Sequence, residues 1–149
     1  MITSHIRYLG ELRTLARHQR SGEEIVTDAP PDNQGRGEAF SPTDLLATAL
    51  GSCMLTIIGI AARTHGINIT DTEVDVVKHM ASNPRRVGKV EVDFFFPHEY
   101  TSREKAIIEN AGRTCPVALS LRPELEQDIR FHFGLSKPEQ QVEGNGNGA

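Results

Sequence analysis

The chain has 149 residues, 38% of them hydrophobic, which suits one domain of ordinary size able to bury about two-thirds of its unfolded surface. Its net charge of −4 and sequence pI near 5.8, with bases interleaved among acids, leave no basic footprint for nucleic acid or an anionic membrane. Two cysteines are too few for a CxxC-type zinc site, and the histidines at 5, 18, 65, 79, 98 and 132 show neither HxxxH nor HxH pairing, so no metal is expected.

The opening stretch MITSHIRYLGEL reads as an amphipathic strand with charges inside it, not as a charged segment followed by an apolar run. No secretory leader is expected, and the default location is the cytoplasm. The first thirty residues alternate like a β-hairpin, with Ile6, Tyr8 and Leu12 on one parity, a turn at Gln19–Gly22 and a return strand from Glu24. Residues 29–39 are rich in Pro, Gly, Asn and Asp and read as a surface loop. Ser41-Pro42-Thr43-Asp44 is a helix start: serine caps, proline takes the first position, and Asp44 stands where a capping box needs its acid. The helix is expected to reach His65, with Gly66 as its stop. It is apolar nearly all round, so it must be covered on more than one side. Its apolar run from Leu45 to Ala62 is broken by Thr48, Gly51, Ser52, Thr56 and Gly59, which argues for a core helix and against a membrane span.

A second hairpin follows. Val74 and Val76 lead to a turn at Ser82-Asn83-Pro84-Arg85, and Val90, Val92, Phe94 and Phe96 form an inward face with Glu91 and Asp93 outside. Thr101-Ser102-Arg103-Glu104 opens another helix, Cys115-Pro116 a short one, and Asp128–Phe133 is the last strand. The expected class is α+β with mainly antiparallel pairing, as one domain over 1–135 and a disordered tail over 136–149.

Two residues stand out as carriers of chemistry. Cys53 lies in the middle of the long helix, on the stripe shared by Leu46, Leu50, Ile57 and Ile60, where a cysteine by itself reads first as a small core hydrophobe. Cys115 precedes Pro116 at a helix start, where unpaired backbone N–H groups favour a thiolate. No glycine-rich phosphate loop accompanies them, since Gly35-x-Gly37 opens no GxGxxG motif, so no nucleotide cofactor is expected.

The stretch SPTDLLATALGSC, Ser41 to Cys53, resembles the signature helix of the OsmC/Ohr family, the osmotically inducible and organic-hydroperoxide-resistance proteins. Thr114-Cys115-Pro116-Val117-Ala118 resembles that family's second cysteine site. The separation of 62 residues (115 − 53) and the order of elements agree, over about residues 5–134. The resemblance implies an OsmC-like fold, with antiparallel sheets in two layers wrapped around long central helices in an intertwined homodimer. It also implies a thiol-dependent peroxidase acting on organic hydroperoxides: Cys53 attacks the peroxide, Cys115 resolves the sulfenic acid, and a dithiol such as a lipoyl group reduces the disulfide.

Physical chemistry adds a requirement. A thiol of ordinary pKa is only a few per cent ionised at neutral pH, so a reactive Cys53 needs a cation nearby. The family's cation is an arginine on the first strands, and Arg13 matches it best, with Arg17, Arg20 and Arg36 as competitors. The family peroxidases carry a glutamate after the helix-start proline to hold that arginine. Thr43 stands there in this chain, and Asp44, one residue on, is rotated by about 100°. Asp44 is the candidate carboxylate in the site, against its role as helix cap, and Glu38 is another partner for the arginine. The wording SPxxLLxxALGSC is closer to a less characterised OsmC-like branch than to Ohr. The rival readings are a non-catalytic protein binding a small hydrophobic ligand at the dimer interface, and a thiol redox sensor.

Overall fold

A computed structural model describes residues 1–139. Three strands form an antiparallel meander: β1 (Ser4–Gly10), β2 (Arg13–His18) and β3 (Glu24–Asp28). After a 3₁₀ turn at Pro31–Asn33 comes the long helix α1 (Pro42–His65). Strands β4 (Glu73–Ala81) and β5 (Arg86–Phe96) then make an antiparallel hairpin. Helices α2 (Ser102–Arg113) and α3 (Pro116–Ser120) lead to β6 (Glu126–Phe133). The meander is one sheet, and β4-β5-β6 is a second.

The first thirty residues are three strands, not two. The extra turn sits at Glu11 and Leu12, which was expected to continue the first strand. Gly10, Glu11 and Leu12 all take left-handed backbone, with φ of 86°, 55° and 61°. Only the glycine does so without steric cost. The Tyr8 hydroxyl accepts the Leu12 N–H at 3.2 Å and helps close the turn. The pairing is also not wholly antiparallel: β6 lies parallel to β5, because α2 and α3 intervene and carry the chain back to the same end of the sheet.

The start of α1 is built as its sequence demands. Asp44 N–H donates to Ser41 Oγ and Ser41 N–H to Asp44 Oδ2, both at 3.0 Å, and Gly66 ends the helix in left-handed backbone. One face of α1 (Leu50, Met54, Ile58) is buried in a core with Val90, Val92, Phe94, Phe96 and Ile108. Each large side chain of this kind contributes about 1.5–3 kcal/mol by leaving water. The second sheet approaches closely because residue 51 is glycine: a Cβ there would lie 2.8 Å from Val76 Cγ2. The opposite face of α1 stays open in the single chain, and Leu46, Ala49 and Ile60 are exposed on it.

The expected disordered tail falls mainly on residues 140–149, which lie outside the described residues. Before them, Lys137 pairs with Asp75 on β4 at 2.6 Å.

Candidate functional site

The two cysteines come from elements that pack together, the middle of α1 and the start of α3. Cys53 is half-buried, whereas Cys115 is wholly buried. Cys115 caps α3, and its Sγ accepts the Ala118 N–H at 3.3 Å. Burial pushes the Cys115 thiol above its ordinary pKa. The amide bond opposes that rise, and the neighbouring Cys53 sulfur adds to it. That direction runs against the thiolate expected at this helix start. With one turn and a half of helix, the amides of α3 are outweighed by the apolar surroundings. The chain thus holds one half-buried and one wholly buried sulfur as neighbours.

Arg13 opens β2, directly across from Asp28 on β3. Its Nε and Nη2 grip Asp28 Oδ1 and Oδ2 at 2.7 and 2.9 Å, and Nη2 also reaches Glu38 Oε2 at 3.1 Å. Asp28 is 1% exposed and takes a further bond from the Glu38 N–H. Hydrogen bonding by Arg13 outweighs the desolvation, so the Asp28 carboxyl lies below its ordinary range. The polar partners of Arg13 are thus a carboxylate of the neighbouring strand and one of the loop that leads to α1. Glu38 is where the sequence suggested it. Asp28 was missed, although a Thr-Asp pair closing a strand opposite a basic strand is a recognisable signal: a carboxylate there is buried only if paired.

Asp44 lies nine residues before Cys53, roughly 13.5 Å along the helix axis. One of its oxygens closes the capping box, and the other takes Lys78 Nζ at 2.8 Å. Burial raises its pKa, but the bonds from Lys78 and Ser41 prevail and hold the carboxyl low. Lys78 also donates to Thr43 Oγ1 at 2.9 Å. At the position where the resemblance implies a glutamate, this chain places a threonine bonded to a lysine. Lys78 was not foreseen, because its distance from residue 43 in sequence hides the contact.

Two grooves open along α1, one of them beside the start of α3 and the other at the start of α1. One of about 500 Å³ runs over Leu45, Leu46 and Ala49 of α1 and over Pro116, Val117 and Leu121. A hollow of about 330 Å³ lies on the meander side of the helix start, between Tyr8, Thr14, Thr27, Ser41 and Thr43.

Comparison with known proteins bears on this arrangement. The model of the family "OsmC-like protein" matches residues 35–130. No curated protein matches the chain. A solved structure from Psychrobacter arcticus, of a candidate osmotic stress induced and detoxification response protein, is 53% identical, covers 89% of this chain and 96% of its own, and superposes with a TM-score of 0.86. Organic hydroperoxide resistance proteins from Legionella pneumophila (16% identity, TM-score 0.70, 89% and 98% covered) and Elizabethkingia anophelis (17%, 0.70, 89% and 97%) share the fold. The family match and the Psychrobacter likeness give one answer: the chain belongs to the OsmC-like protein family.

Proposed function

We propose that the protein is a thiol-dependent peroxidase for organic hydroperoxides, cycling Cys53 and Cys115 between dithiol and disulfide. The observation that carries this reading is the pairing of a half-buried Cys53 with a wholly buried Cys115 beside an apolar groove. The Cys53 thiolate attacks the distal peroxide oxygen. The O–O bond breaks, the alcohol leaves with a proton, and Cys53 becomes a sulfenic acid. Cys115 then attacks that sulfur, forming the disulfide and releasing water. An external dithiol, for which a lipoyl group is the proposed case, returns both thiols.

Arg13 is the proposed cationic partner of the thiolate, with Asp28 and Glu38 holding it in place of the missing helix-start glutamate. Asp44 is proposed to serve the site by fixing the start of α1. The working unit is a homodimer in the cytoplasm. The open apolar face of α1 and the exposed apolar side chains of the meander (Ile6, Tyr8 and Ile25) are two surfaces that a second copy would cover.

Reduced protein mixed with one equivalent of cumene hydroperoxide is expected to lose both thiols as an intramolecular disulfide, two mass units lighter by definition of the bond. Hydrogen peroxide should act more slowly, since no organic tail can bury in the groove. Cys53→Ser should abolish the reaction, and Cys115→Ser should leave a sulfenic acid on Cys53. Survival of both thiols in excess hydroperoxide would remove the peroxidase reading and leave a ligand-binding protein.

A further inference from the structure

We propose that the polar face of the meander binds the phosphoryl group of a small phosphomonoester, held between Arg7 and Arg17. The inference is independent of the peroxidase reading and of the surfaces assigned to a second copy. Residues 5, 7, 15, 17 and 24 share one face of the sheet, and Ile6, Tyr8 and Ile25 project from the other. On the first face His5, Arg7, Leu15, Arg17 and Glu24 line a hollow of about 210 Å³. Pockets for drug-sized ligands begin near about 300 Å³, so this one suits a group of few atoms.

The strand register gathers the charges. His5 stands directly opposite Arg17, and Arg17 opposite Glu24. Arg7 stands opposite Leu15, which makes it the diagonal neighbour of Arg17, at a spacing of roughly 7–8 Å. Facing a carboxylate across the strands does not by itself settle a charge in this sheet. Arg13 grips Asp28 with Nε and Nη2 at 2.7 and 2.9 Å. Arg17, placed in the same way against Glu24, leans instead over the turn: its Nη2 lies 3.7 Å from where a Cβ on Gly22 would stand. Among the described residues no carboxylate lies within ion-pair distance of Arg7 or Arg17, and His5 has no hydrogen-bond partner. Like charges gathered on one face of a sheet cost stability until an anion answers them.

The charge and shape of the ligand follow. With His5 neutral, the lining carries two positive charges against the one of Glu24. A carboxylate brings a single charge and two oxygens, and one guanidinium fork saturates it. A phosphomonoester brings about −1.5 to −2 and three acceptor oxygens, enough for both guanidiniums and the His5 N–H together. Leu15, half-buried in the lining, offers the ester carbon an apolar wall. The net charge of −4 on the chain disfavours an extended polyanion, and Glu24 repels a second phosphate beside the first.

Glycerol 3-phosphate and glycerol should be titrated calorimetrically into the full-length protein at low salt, where an exposed site is least screened. The ester is expected to bind with a dissociation constant of about 1 mM or tighter, and glycerol not at all. Arg7→Gln and Arg17→Gln should each weaken it about tenfold or more, the margin of a hydrogen bond to a charged group. Glu24→Gln should tighten it, and Arg103→Gln, which removes an exposed charge from α2, should leave it unchanged. Vesicles of phosphatidylcholine containing phosphatidate are the second arm. Lack of binding by the ester, binding that survives both arginine variants, or an equal loss in Arg103→Gln overturns the proposal. So does capture of the vesicles through Arg7 and Arg17 without binding of the ester, which would assign this face to a membrane.

Discussion

The two sheets of this molecule have the same number of strands and opposite fates. In β5, alternate residues Val90, Val92, Phe94 and Phe96 are all buried, because α1 and α2 cover that face. In β1 and β3 the apolar residues Ile6, Tyr8 and Ile25 stay exposed, although their alternation is as regular. Alternation records that one face of a sheet is meant to leave water. It does not record whose atoms will cover it. The open face of α1 carries the same message on a helix: Ile60 is 59% exposed in a helix whose other side is closed.

The contrast is broken most severely from the closed side. Phe94→Ala removes a wholly buried ring that stacks on Phe131 at 5.1 Å, and should cost about 3–5 kcal/mol in denaturant unfolding. Ile6→Ala, on the open side, should show its cost only as a transition midpoint that depends on protein concentration. An equal and concentration-independent loss in both variants would mean that the meander is packed within its own chain. The next effect is on association. Ile60→Lys should shift the mass in light scattering from dimer to monomer with helix content unchanged by circular dichroism. A mass insensitive to this charge would place the interface elsewhere.

Legibility in the sequence followed the same division. Helix α1 was readable to the residue, because its start and stop are encoded by local chemistry: the Ser41–Asp44 box, Pro42 and Gly66. The β4–β5 hairpin was readable because the inward side of β5 is apolar from Val90 to Phe96, although Lys78 breaks the pattern on β4 opposite Val90. The turn at Glu11–Leu12 was not, since two residues that disfavour left-handed backbone adopt it there under tertiary control. Within the candidate site, Cys53 and Cys115 could be named from their motifs. Lys78 could not, because its importance lies in a helix–strand contact that has no fixed spacing along the chain, and the signal at Asp28 was of the weaker, cross-strand kind and was missed.

The smallest effect separates two pairs of similar design. Each sheet clamps an aspartate with a cross-strand arginine: Asp28 with Arg13 in the meander, Asp93 with Arg130 in the second sheet. The first carboxylate is buried. The second lies on the outer face of its sheet in a network with Asp128, Glu91 and His132. Hydrogen bonding by Arg130 outweighs desolvation and, helped by His132, holds Asp93 at about 2, against an ordinary 3.8. A carboxylate with a lowered folded pKa stabilises the fold above its unfolded pKa, and the benefit is lost as pH falls through the folded value. Stability should therefore decline between about pH 4 and pH 2, and Arg130→Gln should flatten that decline while lowering stability modestly at neutral pH. Arg13→Gln should cost more at neutral pH, because Asp28 has no solvent to fall back on and would be left as a buried unpaired charge. Thermal unfolding of both variants from pH 2 to pH 7 checks the order. If Arg130→Gln proves the costlier, burial is not what distinguishes the two clamps, and the network around Asp93 is a structural centre of the fold in its own right.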